Sequence, residues 1–130
     1  MYDLDQAVTD FPWTKLPWSD INCGWFGLGM PNGWGDVIHE GLAKIDKYLK
    51  EHDLMDKFVI EQAKEKWGRL RIYFDIIDPD VPYERYDELL AIMDEIESES
   101  ARVCCVCGTR EGVKCRGGWV HYSCDKCEGV

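Results

Sequence analysis

Six of the seven cysteines fall between Cys104 and Cys127, and four of them form two pairs, Cys104-x-x-Cys107 and Cys124-x-x-Cys127, with 16 residues between the pairs. Two thiolates spaced in this way can reach neighbouring corners of one tetrahedral ion, and a second pair brought up from across a hairpin completes the shell. Two such pairs about 15 to 20 residues apart are the spacing of structural zinc sites. Cys104, Cys107, Cys124 and Cys127 are therefore the predicted ligands of one Zn2+ ion. Cys105, Cys115 and His121 lie close enough along the chain to stand in for one of them. Four protein sulfurs leave no coordination position for water, so the expected site is structural and not hydrolytic. Gly108, directly after Cys107, suits a tight knuckle that needs φ > 0. The segment that carries the cysteines is poor in aliphatic residues, and a metal is the means by which so short a stretch folds.

Other chemistry is not legible. His39-Glu40 opens like H-E-x-x-H, but Ala43 stands where the second histidine belongs. The glycines Gly27, Gly29, Gly33 and Gly35 follow no strand and precede no Gly-Lys-Ser/Thr, which leaves them as turn residues. No Ser/His/Asp or Cys/His set emerges, and the expected protein is not an enzyme.

The elements that must position the cysteines can be read from periodicity. Trp34, Ile38, Leu42, Ile45 and Leu49 share one face of a helix that opens at Asn32 or Gly33 and runs to about His52. Phe58, Ile60 and Gln62 then alternate with Val59 and Glu61, and Leu70, Ile72, Phe74 and Ile76 alternate with Arg71, Tyr73 and Asp75. With Trp67-Gly68 between them, these runs predict a β-hairpin. Asp78-Pro79-Asp80-Val81-Pro82 ends the strand, and Tyr86, Leu89, Leu90, Met93 and Ile96 mark a second helix. Residues 1–31 show neither period and are read as an irregular aromatic arm, 32–101 as an α-β-β-α body and 102–130 as a zinc-ribbon module. The predicted fold class is α+β, with the ribbon on or beside the hairpin and the arm covering the remaining apolar surface.

The 130 residues carry a formal charge of -10, which disfavours sequence-independent nucleic-acid binding by the whole surface. Residues 1–100 hold a net -12 and residues 101–130 a net +2, so the acidity belongs to the body. No apolar run approaches the roughly 18 residues of a membrane span, and the first ten residues lack the order of a secretion signal. A soluble, cytoplasmic protein is expected, in a reducing compartment that suits an odd number of clustered cysteines.

Two further groups are candidates for binding a partner. Trp13 and Trp18, in the arm, either plug the core or form an aromatic interaction patch. Docking on the core is favoured, because an arm without secondary structure must dock somewhere to be ordered. Lys64, Lys66, Arg69 and Arg71 cluster around the hairpin tip, either as a patch for phosphate or carboxylate groups or as ion-pair partners of the acidic second helix.

Taken together, Gly33-Trp34, Lys64-Glu65-Lys66-Trp67-Gly68-x-Leu70-Arg71-Ile72-Tyr73, Ser100, Cys104-x-x-Cys107-Gly108, Gly118-Trp119 and Cys124-x-x-Cys127 form a combined pattern. Over residues 33–127 the chain resembles the small zinc-ribbon-tailed proteins encoded by tailed phages and prophages. It departs from that pattern at Trp67, where Phe is usual, in the adjacent Cys104-Cys105, and in the arm before Gly33. The resemblance implies expression in an infected bacterial cytoplasm and an accessory role, and supplies no catalytic residue. The expected function is a non-enzymatic protein that binds, and inhibits or redirects, a host protein, including one of host defence. The alternative is nucleic-acid or nucleotide-signal binding through the ribbon and the basic hairpin patch.

Overall fold

The computed structural model describes residues 4–14 and 30–128. It is an α+β fold. A short helix α1 (Leu4–Asp10) and a 3-10 turn (Pro12–Thr14) lead, and a second 3-10 turn (Asn32–Trp34) runs into α2 (Gly35–Glu51). The hairpin β1 (Phe58–Lys66) and β2 (Arg69–Ile76), helix α3 (Tyr83–Ser100), a small hairpin β3 (Lys114–Arg116) and β4 (His121–Ser123), and a last 3-10 turn (Asp125–Cys127) follow. Each hairpin is a separate two-stranded antiparallel sheet.

Helix α2 buries the face its sequence pattern marked: Trp34, Ile38, Leu42, Ile45 and Leu49 are all in the core. The helix stops at a left-handed Asp53 (φ 55), beyond which Leu54 N–H donates to the Leu49 carbonyl at 2.9 Å and satisfies a free end of the helix. Helix α3 lies against β2 and α2, and Gly41 gives it room: a Cβ there would sit 3.0 Å from the Ile96 side chain. It buries Leu89, Met93, Ile96 and Ser100, whereas Tyr86 and Leu90 lie on its flank with 36% and 40% of their surface exposed.

The hairpin turns where its sequence required, with Trp67 (φ 54) and Gly68 (φ 80) as the two central residues. Two left-handed residues match the right-handed twist of the flanking strands. One expectation is corrected. The pairing Ile60↔Phe74 is followed by Gln62↔Tyr73, so Glu61 is an extra residue in a bulge. Beyond it the buried face passes from even to odd positions, and Ala63, not Gln62, lies in the core with Phe58 and Ile60.

The leading segment also differs from the irregular arm its composition suggested, because residues 4–10 form about two turns of α-helix. Ala7 and Phe11 are buried in the main core. Trp13 packs edge-on against Phe58 with 5.5 Å between ring centres, and its Nε1–H donates to Asp46 Oδ1 at 2.9 Å. Trp18 lies outside the described residues.

Candidate metal centre

The tail docks on the body through backbone contacts that side chains could not make. Gly33 N–H donates to the Cys105 carbonyl at 2.8 Å, and Cys105 N–H donates to the Tyr122 carbonyl at 2.9 Å, which ties the entry of α2, the first knuckle and β4 in series. Only glycine fits at position 33: a Cβ would stand 2.1 Å from the Cys104 carbonyl oxygen. On the other side of the junction, Ser100 Oγ accepts Leu70 N–H at 2.9 Å and donates to the Glu97 carbonyl at 2.6 Å. Glu99, at the end of α3, pairs with Arg102 at 2.8 Å and with Arg110 of the tail at 2.9 Å.

This frame brings together the four predicted sulfurs. The Sγ atoms of Cys104, Cys107, Cys124 and Cys127 all lie within 4.8 Å of one another, and those of Cys107 and Cys124 are 3.8 Å apart. With metal–thiolate bonds of about 2.3 Å, a tetrahedron has edges of about 3.8 Å, whereas a disulfide requires about 2.05 Å. The spacing suits four ligands sharing an ion. Gly108 takes φ 80 behind the first knuckle, and its N–H closes back on the Cys104 carbonyl at 2.9 Å. Cys104 and Cys124 are buried, Cys127 is half-buried and Cys107, its sulfur turned into the cluster, is exposed to solvent.

The electrostatics of the cluster favour a cation. Burial raises the Cys104 thiol, but backbone groups of Cys107, Cys124 and Val106 outweigh it and bring the value down to about 6. The Val106 N–H lies 3.4 Å from the Cys104 sulfur. Cys127 is pushed up to about 12, first by its contact with the Cys124 side chain, then by burial and by Cys104 and Cys107. Four crowded sulfurs thus resist losing all their protons by themselves, and a divalent ion supplies the charge that removes this resistance.

The three substitutes stand apart from the cluster. Cys105 spends its backbone on Gly33 and Tyr122, and burial raises its thiol. Cys115 is exposed on β3, and His121 Nδ1 lies 2.7 Å from the Trp119 carbonyl oxygen.

The basic hairpin residues share one face, with Lys64 opposite Arg71 and Lys66 opposite Arg69. Arg71 Nε is 2.7 Å from Glu97 Oε1, and Arg69 lies 3.9 Å from the same carboxylate and 3.3 Å from the Tyr122 hydroxyl. Lys64 sits 5.5 Å from the centre of the Tyr73 ring. Half of the patch is therefore engaged with the acidic helix.

Residue-by-residue reading did not single out what the tip and the tail build together. Trp67 (68% exposed) and Trp119 (80% exposed) flank a cleft between the two hairpins. A signal was present at Trp67, since a bulky residue at a left-handed turn position is costly where Asn or Gly is preferred. Among the described residues, no helix is long and apolar enough to cross a membrane. Comparison with family models, with curated proteins and with solved structures finds no match.

Proposed function

We propose that the four sulfurs hold one structural Zn2+ and that the protein is a non-catalytic binding module for another protein. Zinc suits a closed four-thiolate tetrahedron, and such a shell keeps no position for substrate or water. The metal then holds the β3–β4 hairpin against the β1–β2 tip, and the tip supplies the surface. The observation that carries this reading is the pair of exposed tryptophans, Trp67 and Trp119, on one cleft. Tryptophan is favoured where protein interfaces concentrate their binding energy.

The partner in this reading is a host protein in the cytoplasm of a bacterium infected by a phage, and binding inhibits or redirects it. Motif likeness to phage-encoded ribbon proteins supports that setting. Trp13 takes no part in this surface, because its ring packs on Phe58 and its N–H is bonded to Asp46. Nucleotide or nucleic-acid binding through the ribbon and hairpin patch has less support: Glu97 draws off Arg69 and Arg71, leaving Lys64 and Lys66 as the patch cations without an acidic partner among the described residues.

Affinity purification from bacterial lysate, with elemental analysis of the bait, tests the proposal. The expected result is one zinc per chain and one host protein retained in near-equal amount, lost when Trp67 and Trp119 are both replaced by Ala. A bait that retains no protein overturns the binding reading, and a metal-free folded bait overturns the zinc.

A further inference from the structure

The cleft between the two hairpins has a volume of about 390 Å³, and its walls are chemically specific. Trp34 lines it although the residue is wholly buried, and its Nε1–H has no acceptor among the described residues. His121 lines the same cleft. A carbonyl can only accept, so the 2.7 Å contact with Trp119 O places a proton on Nδ1 and leaves Nε2 of the neutral ring as an acceptor. That Nε2 is buried and also lacks a partner. Glu65 borders both this cleft and its continuation beside Trp67, and one of its oxygens accepts the Gly68 N–H at 2.7 Å. The other oxygen has no protein partner among the described residues.

One donor and two acceptors, one of them anionic, thus converge beside exposed indole surface. A buried polar group without a partner is costly, and two of them in one cavity point to a ligand that supplies what they lack. The backbone gives a second sign of function. Trp67 holds φ 54, where a bulky side chain is disfavoured, and its ring stays exposed at the rim.

We infer that the cleft receives an arginine side chain carried on a segment of the partner protein, an assignment that rests on the protein-binding reading above. The guanidinium stacks on exposed indole and donates to Glu65, and as the cleft walls shift to admit it, the buried His121 Nε2 and Trp34 Nε1–H gain the donor and the segment carbonyl they lack. Arginine fits better than lysine because its planar fork both stacks on aromatic faces and offers several donors at once. Charge agrees: the chain carries -10, and the carboxylate of Glu65 borders both parts of the cleft. The same carboxylate argues against a nucleotide phosphate, for which Lys66 would be the cation at the rim.

The experiment titrates the zinc-loaded full chain with the capped tripeptide acetyl-Gly-Arg-Gly-amide, following the indole N–H signals by NMR. Saturable binding is expected, with the Trp34 indole N–H signal moved downfield and the Trp119 signal shifted. The lysine and citrulline counterparts should bind about fivefold or more weakly. Glu65→Gln and Trp119→Ala should each weaken the arginine peptide by about fivefold, with an unchanged far-UV circular dichroism spectrum showing that each variant folds. The assignment is overturned if the arginine peptide does not saturate, if lysine or citrulline binds equally, or if AMP binds more tightly than the peptide. It is also overturned if the chain self-associates through this face, seen as a sedimentation shift that Trp119→Ala abolishes. A host protein still retained by the Glu65→Gln and Trp119→Ala baits would sink the arginine assignment and leave the binding reading standing. Peptide binding without any retained host protein would do the reverse.

Discussion

Gly33 donates its backbone N–H to the Cys105 carbonyl oxygen at 2.8 Å, so the entry of α2 and the first cysteine knuckle form one unit. Neither side of that contact has slack, since the next carbonyl, that of Cys104, would lie 2.1 Å from any Cβ at position 33. The obstacle is backbone, which cannot swing aside as a side chain could. Gly33→Ala should therefore cost about 3 kcal/mol or more. Thermal unfolding should show it as a loss of about 10 °C, accompanied by faster loss of metal to a chelator.

The cysteines divide into two classes that elemental analysis can separate. Cys104→Ser or Cys124→Ser should abolish stoichiometric metal, because each removes a buried sulfur from the four that converge. Cys105→Ser and Cys115→Ser should retain it. Cobalt loaded into the native chain should give the intense thiolate-to-metal absorption of a tetrahedral four-sulfur site, and an octahedral spectrum would contradict the geometry.

Ser100 is buried and joins α3 to β2 through one hydroxyl. In Ser100→Ala the buried Leu70 N–H loses its acceptor, at a cost of about 1 to 3 kcal/mol. Hydrogen exchange at the Leu70 amide should accelerate more than at the neighbouring strand amides.

Glu99 has a carboxyl held below the ordinary glutamate value, first by its hydrogen bond to Arg110, with the charges of Arg110, Arg102 and Lys44 adding to it against burial. A depressed folded-state value means that the ionised carboxylate stabilises the fold above the ordinary glutamate pKa. This contribution is lost as pH falls through the lower, folded-state value. An NMR titration of the Glu99 side chain should find its midpoint below that of an exposed glutamate, and Arg110→Ala should move it upward.

Trp67 should show a trade between stability and binding. Trp67→Asn places a residue suited to the left-handed position in the turn and should raise stability by about 1 kcal/mol. The same change removes an exposed indole from the cleft rim, so retention of the proposed protein partner should fall while the melting temperature rises.

Much of this was legible before any coordinates. The face of α2 from Trp34 to Leu49 could be read because five apolar residues repeat at helical spacing over more than four turns, and the cysteine pairs because their chemistry fixes their spacing. Helix α1 was missed because seven residues are too few to display a period. On α3, Tyr86 and Leu90 satisfy the period yet lie at the margin of the buried stripe, where packing against β2 decides exposure. The bulge at Glu61 leaves no compositional mark, since one inserted residue looks like ordinary alternation until its partner strand is known. The cleft was hidden for a further reason: Trp34, Glu65, Trp67, Trp119 and His121 come from distant parts of the chain, and only tertiary structure brings them together.

The extra residue at Glu61 works as a phase setter for everything toward the tip. Were Glu61 instead drawn into the ladder opposite Tyr73, every residue beyond it would slip by one against β2, and Gln62 and Lys64 would come to lie opposite the buried Ile72 and Leu70 in place of Ala63 and Glu65. Deleting Glu61 itself would leave every pair from Gln62↔Tyr73 to Lys66↔Arg69 in place, whereas deleting a paired residue nearer the tip would turn the strand's faces over. Between the bulge and the turn, the number of residues, more than their kind, is what inheritance has to keep.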